Sequence, residues 1–331
     1  MSQDKTPMMA PELGDQAWRS DKADAHFFEP TYSGALSFLR RPYRRDFDGV
    51  DVAVTGIPYD GAVTYRPGTR LGPRAIRAAS VQLAELDIFP AGFAMSDYLA
   101  VVDAGDALLN PHDPQTIFDA IYHHAKAIID TDTKLLSFGG DHFVAYPLIK
   151  AHVDKYGPIA LLQFDAHSDT WDSFGPLDHG TMFYEAVKEG LIDVEHSLQV
   201  GLRTHNDRDV GFKVLTAPDV HKMGVEAVSE VITQHIGDKP CYVSFDIDVL
   251  DPAFAPGTGT PVSGGLATWQ ALELIRGLAP LNLIGMDLVE VSPPFDHAEI
   301  TALAAATVAH DWLAVLAAQN KEKALNLQPI S

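Results

Sequence analysis

Short apolar runs rich in β-branched residues alternate along this 331-residue chain with stretches of helical periodicity. Val52–Gly56, Leu99–Asp103, Lys134–Phe138, Ala160–Phe164, Leu198–Leu202, Tyr242–Val249 and Leu283–Val291 read as strands. Pro114–Ile129, Val144–Lys155, Thr181–Lys188, Val225–Gln234 and Thr268–Gly277 read as helices between them, and Ala302–Ala318 as an Ala-rich closing helix. Strands linked in this way imply an α/β fold: a mostly parallel central sheet with helices on both faces, three layers in all. No internal repeat or low-complexity linker divides the chain, so residues 31–331 read as a single catalytic domain. Residues 1–30 are polar, Pro-containing and aperiodic, and read as an N-terminal arm.

Composition narrows the function classes. Asp and Glu number 45 against 24 Lys and Arg, a net charge of −21. Nucleic acid and anionic membranes are themselves polyanions, so neither is an expected partner. A cationic small molecule or a metal is compatible with the charge. Cys241 is the only cysteine, which excludes an intrachain disulfide and a thiolate zinc site. No run of 18 or more apolar residues appears, so no membrane span is expected. The first residues lack the apolar stretch of a secretory signal, and a cytoplasmic location is expected.

The unusual residues sit where three apolar runs break off. These are Ser137-Phe138-Gly139-Gly140-Asp141-His142, Leu162-Gln163-Phe164-Asp165-Ala166-His167-Ser168-Asp169, and Ser244-Phe245-Asp246-Ile247-Asp248-Val249-Leu250-Asp251-Pro252. In extended chain, alternate residues share a face, which puts Asp165, His167 and Asp169 together and Asp246 with Asp248. Any one of these residues alone is adequately explained as a solvated loop acid. Together they are not, because clustered carboxylates at apolar strand ends need countercharge, and Arg and Lys are missing from these runs. A metal is the natural partner. Six oxygen and nitrogen ligands are too many for one zinc but suit two bridged ions, and hard carboxylates with only two imidazoles favour Mn²⁺. Such a pair holds a hydroxide at neutral pH, poised to attack an electrophilic carbon or phosphorus.

His179, in Asp178-His179-Gly180-Thr181, lies one loop beyond the second run and is placed to move protons. His123 and His124 point about 100° apart on a helix and cannot chelate together. The Gly68–Arg77 stretch resembles a phosphate cradle but lacks the Gly-Lys-Ser/Thr ending, and Pro73 reads as a first helical residue.

The three runs, with the continuation Ala253-Phe254-Ala255-Pro256-Gly257-Thr258-Gly259-Thr260-Pro261, resemble the ureohydrolases, the family of arginase and agmatinase. The likeness extends from about Phe38 to the C-terminus and includes Gly56-Ile57-Pro58-Tyr59-Asp60 and Gly285-Met286-Asp287-Leu288-Val289-Glu290-Val291. The resemblance implies two Mn²⁺ ions per subunit bridged by Asp165 and Asp246. His142 and Asp169 would complete one site, and His167 and Asp248 the other. It implies that Glu290 pairs with a substrate guanidinium, that His179 shuttles protons, and that the protein is a homo-oligomer, a trimer or hexamer.

The loop Trp171-Asp172-Ser173-Phe174-Gly175-Pro176-Leu177-Asp178 is shorter than in arginases and has no Asn or basic residue. Two acids in it favour agmatine, whose far end is an amine, with Trp171 and Asp178 as candidate substrate contacts. Trp171 departs from the Tyr of bacterial agmatinases. A related compound such as 4-guanidinobutyrate or 3-guanidinopropionate is the alternative substrate. From other classes, a dinuclear phosphoesterase lacks its Gly-Asn-His run here, and a catalytically silent homologue is expected to have lost a ligand.

Overall fold

A computed structural model describes residues 30–172, 177–208 and 210–326. The expected arm lies outside the described residues except for its last position. The strands are β1 (Val52–Ile57), β2 (Val101–Asp106), β3 (Lys134–Gly139), β4 (Ala160–Phe164), β5 (Leu198–Leu202), β6 (Lys213–Thr216), β7 (Pro240–Asp246) and β8 (Asn282–Val289). The helices are α1 (Gly72–Ser80), α2 (Ile117–Ile129), α3 (Ala145–Tyr156), α4 (Met182–Lys188), α5 (Ala217–Met223), α6 (Val225–Ile236), α7 (Thr268–Arg276) and α8 (Ile300–Asn326).

All eight strands form one sheet in the order β2-β1-β3-β8-β7-β4-β5-β6, and every pairing is parallel. Alternate side chains feed two cores. Val52 and Val54 of β1 join Ile76 of α1, Val228 of α6, Leu274 of α7 and Trp312 of α8. Ala53 and Ile57 face the other way, toward Ile121 of α2, Leu148 of α3 and Phe183 of α4. Burial on both faces explains why the strands are nearly continuous apolar runs.

Two expectations need correction. β6 was not expected; it has four residues, lies at the sheet edge and is half exposed, so it carries no apolar run to detect. α1 begins at Gly72, which makes Pro73 its second residue. Ile300–Leu325 is long and apolar enough to cross a membrane, but 83% of its most apolar window is buried inside the protein, where it serves as a core helix.

Parallel strands all deliver their carboxyl ends to one edge of the sheet. The middle of the order, β3-β8-β7-β4, therefore brings Gly140–His142, Glu290, Asp246 and Asp165 side by side.

Candidate metal centre

The clustering of acids does not arise from strand pleat. β4 stops at Phe164 and β7 at Asp246, so His167, Asp169 and Asp248 lie beyond the strands. The Asp itself ends each strand. One oxygen of Asp165 accepts the His167 N–H at 2.6 Å, and one oxygen of Asp246 accepts the Asp248 N–H at 2.8 Å. A carboxylate that bonds the amide two residues on closes a local turn in place of the sheet ladder. In both cases the second oxygen points to the same place, 3.2 Å (Asp165) and 3.3 Å (Asp246) from His142 Nδ1, and that of Asp165 also accepts from Gln163 Nε2 at 2.7 Å. Asp169 adds an oxygen 2.8 Å from that nitrogen, from a left-handed residue with φ 51°.

Two ligand groups result. His142, Asp165 and Asp169 have ligand atoms all within 4.8 Å of one another, as do Asp165, His167 and Asp248. Asp165 belongs to both. His167 Nδ1 is 3.0 Å from Asp248, whose other oxygen accepts the Ala166 N–H at 3.0 Å.

A chain of hydrogen bonds sets the His142 ring. Asp287 accepts from the Tyr242 hydroxyl (2.7 Å) and the Ser244 hydroxyl (2.8 Å). With its proton committed to Asp287, Ser244 Oγ accepts from His142 Nε2 at 2.8 Å. Nδ1 is then left with a bare lone pair. It is buried and has no aligned hydrogen-bond partner, although three carboxylate oxygens surround it. A lone pair facing three anionic oxygens calls for a cation between them, so the residues fit a divalent metal.

The proton affinities of the same groups agree. Burial and then Asp165 push Asp169 up to about 7. Asp246 is raised well above the usual range by burial, Asp248 and Asp165. Burial alone would lower His167, but the carboxylates of Asp248 and Asp165 outweigh it and push the ring up to about 12. Asp169, Asp246 and Asp248 are thus pushed toward holding protons, whereas for Asp165 the His142 and His167 imidazoles outweigh burial and hold it below the usual carboxylate range; a metal would displace those protons.

Glu290 stands beside this cluster, leaving β8 with φ 63°. Its Oε1 accepts the His142 N–H and faces His179 Nδ1, both at 2.9 Å. Its Oε2 is buried and has no partner. The space beside Oε2 exists because residue 259 is glycine: a Cβ there would stand 3.2 Å from that oxygen. His179 Nε2 faces the Thr64 hydroxyl at 2.8 Å and accepts the Thr64 N–H at 3.1 Å. An amide can only donate, so the proton of the neutral ring is on Nδ1, toward Glu290. Burial would lower the ring's affinity for a second proton, but Glu290 raises it to about 9. The Thr64 amide opposes that proton.

The two other expected residues are placed less decisively. Trp171 packs with its ring 6.3 Å from that of His167, and its backbone N–H donates to the Gly180 carbonyl. Asp178 gives one oxygen to the Gly180 N–H at 2.9 Å. Asp172 is ion-paired with Arg208 at 2.8 Å, so the expected excess of negative charge on this loop is partly neutralised. Ser173–Pro176 lie outside the described residues. The sequence reading also missed Arg203, which donates to the carbonyls of Asp248, Val249, Leu250 and Val262 and holds the β7 turn in place. It missed Ser244 and Asp287 as well. Both are polar residues inside otherwise apolar strands, and that was a readable signal.

Known proteins resemble the chain closely. The family model described as the arginase family matches residues 50–314. An agmatinase of Chromobacterium violaceum is 57% identical over 314 residues, covering 94% of this chain and 97% of that one. The crystal structure of a hypothetical agmatinase from Burkholderia thailandensis superposes with a TM-score of 0.91 at 53% identity, covering 94% of this chain and 99% of that one. Proclavaminate amidino hydrolase from Streptomyces clavuligerus gives 0.84 at 39% identity, covering 88% and 100%.

Proposed function

The chain belongs to the arginase family, and from that premise we propose that it hydrolyses agmatine to putrescine and urea with two Mn²⁺ ions. The observation that carries the reading is the sharing of Asp165 between two ligand groups, with the unpartnered Glu290 Oε2 beside them. In this proposal His142 and Asp169 would hold one ion and His167 and Asp248 the other, with Asp165 and Asp246 contributing to both. The donor set of carboxylates and two imidazoles, without thiolate, suits Mn²⁺. The ions would supply a hydroxide nucleophile at neutral pH and neutralise charge developing on the substrate carbon.

The chain's own residues bind and orient the substrate. Glu290 Oε1 already takes two donors, so Oε2 is the oxygen that receives the guanidinium. A planar cation held there is fixed over the ligand cluster, and that fixed orientation lowers the barrier. His179 hands its Nδ1 proton to the departing amine nitrogen. Trp171 flanks the methylene chain, and Asp178 lies toward the far amine. The Asp172–Arg208 pair removes charge from that end and is the one observation favouring 4-guanidinobutyrate as a competing substrate. As part of the same proposal, residues 31–331 act as a single domain of a cytoplasmic homo-oligomer, a trimer or hexamer.

Urea release with added Mn²⁺ from agmatine, 4-guanidinobutyrate, 3-guanidinopropionate and arginine tests the proposal. Agmatine is expected to give the highest kcat/KM. Arginine as the best substrate would refute the specificity, and no urea from any of them would refute the reaction.

A further inference from the structure

Gly259 is buried, yet neither its backbone conformation nor the packing around it requires a glycine. Its φ lies outside the left-handed region, so an L side chain could adopt the same conformation. At Gly257, two residues earlier, a Cβ would stand 2.7 Å from the Asp296 Cβ and 2.9 Å from its Cα, so that glycine is needed for packing. At Gly259 only two atoms of the described residues, chain neighbours aside, lie within 4 Å of the empty Cβ position. Both are hydrogen-bond acceptors: Glu290 Oε2 at 3.2 Å and the Arg66 carbonyl oxygen at 3.5 Å. No described donor reaches either of them. Resting on the proposed hydrolysis, we propose that Gly259 determines specificity at the guanidinium end of the substrate. Its missing side chain leaves a slot between Glu290 Oε2 and the Arg66 carbonyl that admits only a guanidinium with two unsubstituted terminal NH2 groups.

Glu290 cannot grip a guanidinium with both oxygens, because Oε1 already takes the His142 N–H and faces His179 Nδ1. A single hydrogen bond to Oε2 leaves a planar cation free to turn about it. A second acceptor across the slot fixes the plane: one terminal NH2 donates to Oε2 and the other to the Arg66 carbonyl. The loop that carries this carbonyl is itself held. Asp60 accepts the Gly68 N–H at 2.8 Å, and the Arg66 guanidinium lies 5.0 Å from the centre of the Phe295 ring and 5.3 Å from that of Tyr65. The substituted nitrogen of the substrate then points out of the slot with its chain, whereas a methyl on a terminal nitrogen would have to enter it.

Gly259→Ala puts one methyl group into the slot. The Mn²⁺-loaded variant is expected to keep its metal content and its Tm within about 2 °C, while kcat/KM falls about 10–200-fold. The factor should be the same for agmatine and for any other guanidino compound that wild type hydrolyses, because the slot holds the end they share. Calorimetric titration with millimolar guanidinium chloride, which needs no turnover, should show binding to wild type that the variant weakens by a similar factor. Wild type should release putrescine from agmatine methylated on a terminal nitrogen at least about tenfold less efficiently than from agmatine. Unchanged kcat/KM in Gly259→Ala, a loss that comes with lowered metal content or Tm, or equal turnover of methylated agmatine overturns the inference while the proposed hydrolysis stands. No urea from wild type with any guanidino compound overturns both.

Discussion

Gly140→Ala is a sharp test of how the strand ends build the site. A Cβ at this position would stand 1.8 Å from the Tyr59 carbonyl oxygen and 2.8 Å from that of Ile57. Carbon and carbonyl oxygen approach to about 3.3 Å in folded proteins, so the nearer pair must separate by roughly 1.5 Å. Neither neighbour is a side chain that can swing aside. Both carbonyls are also acceptors at this junction, taking the Gly140 N–H at 3.0 Å and the Asp141 N–H at 2.8 Å. Separating the segments strains or breaks both bonds, at about 1 kcal/mol each, on top of about 1–3 kcal/mol for overpacking. His142, two residues on, shifts with them. A displacement of about 1 Å in a catalytic group costs on the order of a hundredfold in rate. The assay is urea release from agmatine at saturating Mn²⁺, with thermal unfolding and bound metal measured on the same samples. The expected result is a Tm lowered by several degrees and turnover reduced about a hundredfold. A Tm unchanged within about 1 °C with turnover within about threefold of wild type would refute the argument that this backbone contact sets the position of His142.

Asp165→Asn should reduce bound Mn²⁺ at both positions, because Asp165 belongs to both ligand groups; full metal content by elemental analysis would refute the shared role. Glu290→Gln should keep the metal but lower kcat/KM by about a hundredfold or more, since the free oxygen loses its charge; wild-type kinetics would show that the guanidinium binds elsewhere. Ser244→Ala should weaken metal binding by about 10–100-fold by freeing the His142 ring, as a titration with Mn²⁺ would show. His152 is fully buried, and burial pushes its pKa down to about 4. The unfolded chain therefore binds the extra proton first, and stability present above about pH 6.5 is lost as the pH falls toward 4, at about 1.4 kcal/mol per unit. Denaturant unfolding at several pH values should show that slope in wild type and a shallower one in His152→Gln; equal slopes would rule out His152 as its source.

Much of the architecture was legible in the residues. Apolar runs buried on both faces, such as Val52–Ile57 and Ala160–Phe164, carry their own signal, and so do helices with one apolar face. β6 was hidden because a half-exposed edge strand of four residues has no pattern to distinguish it from a loop. Ile300–Leu325 has the same composition whether it faces lipid or a protein core, and only its burial shows which. Among the site residues, the Asp and His runs stood out because charge at the end of an apolar strand is costly. Thr64 and Arg203 did not, because each acts through a hydrogen bond to a residue remote in sequence, and for Ser244 and Asp287 only their polarity inside apolar strands was readable, not the partners they meet.

The sequence by itself determined which atoms are available and where each strand must break. An Asp whose carboxylate captures the amide two residues later ends its own strand, and that follows from local chemistry. It is also why the Asp-x-His and Asp-x-Asp spacings are informative. Only the tertiary structure decided what those carboxylates meet. The parallel order β3-β8-β7-β4 brings four strand ends onto one edge, where one oxygen each of Asp165 and Asp246 converge on His142 Nδ1. It also decided that Asp172 is spent on Arg208 and that His179 is capped by Thr64. Local turns follow from near neighbours in the chain, whereas charge pairing and ring orientation depend on which distant residues the sheet brings alongside.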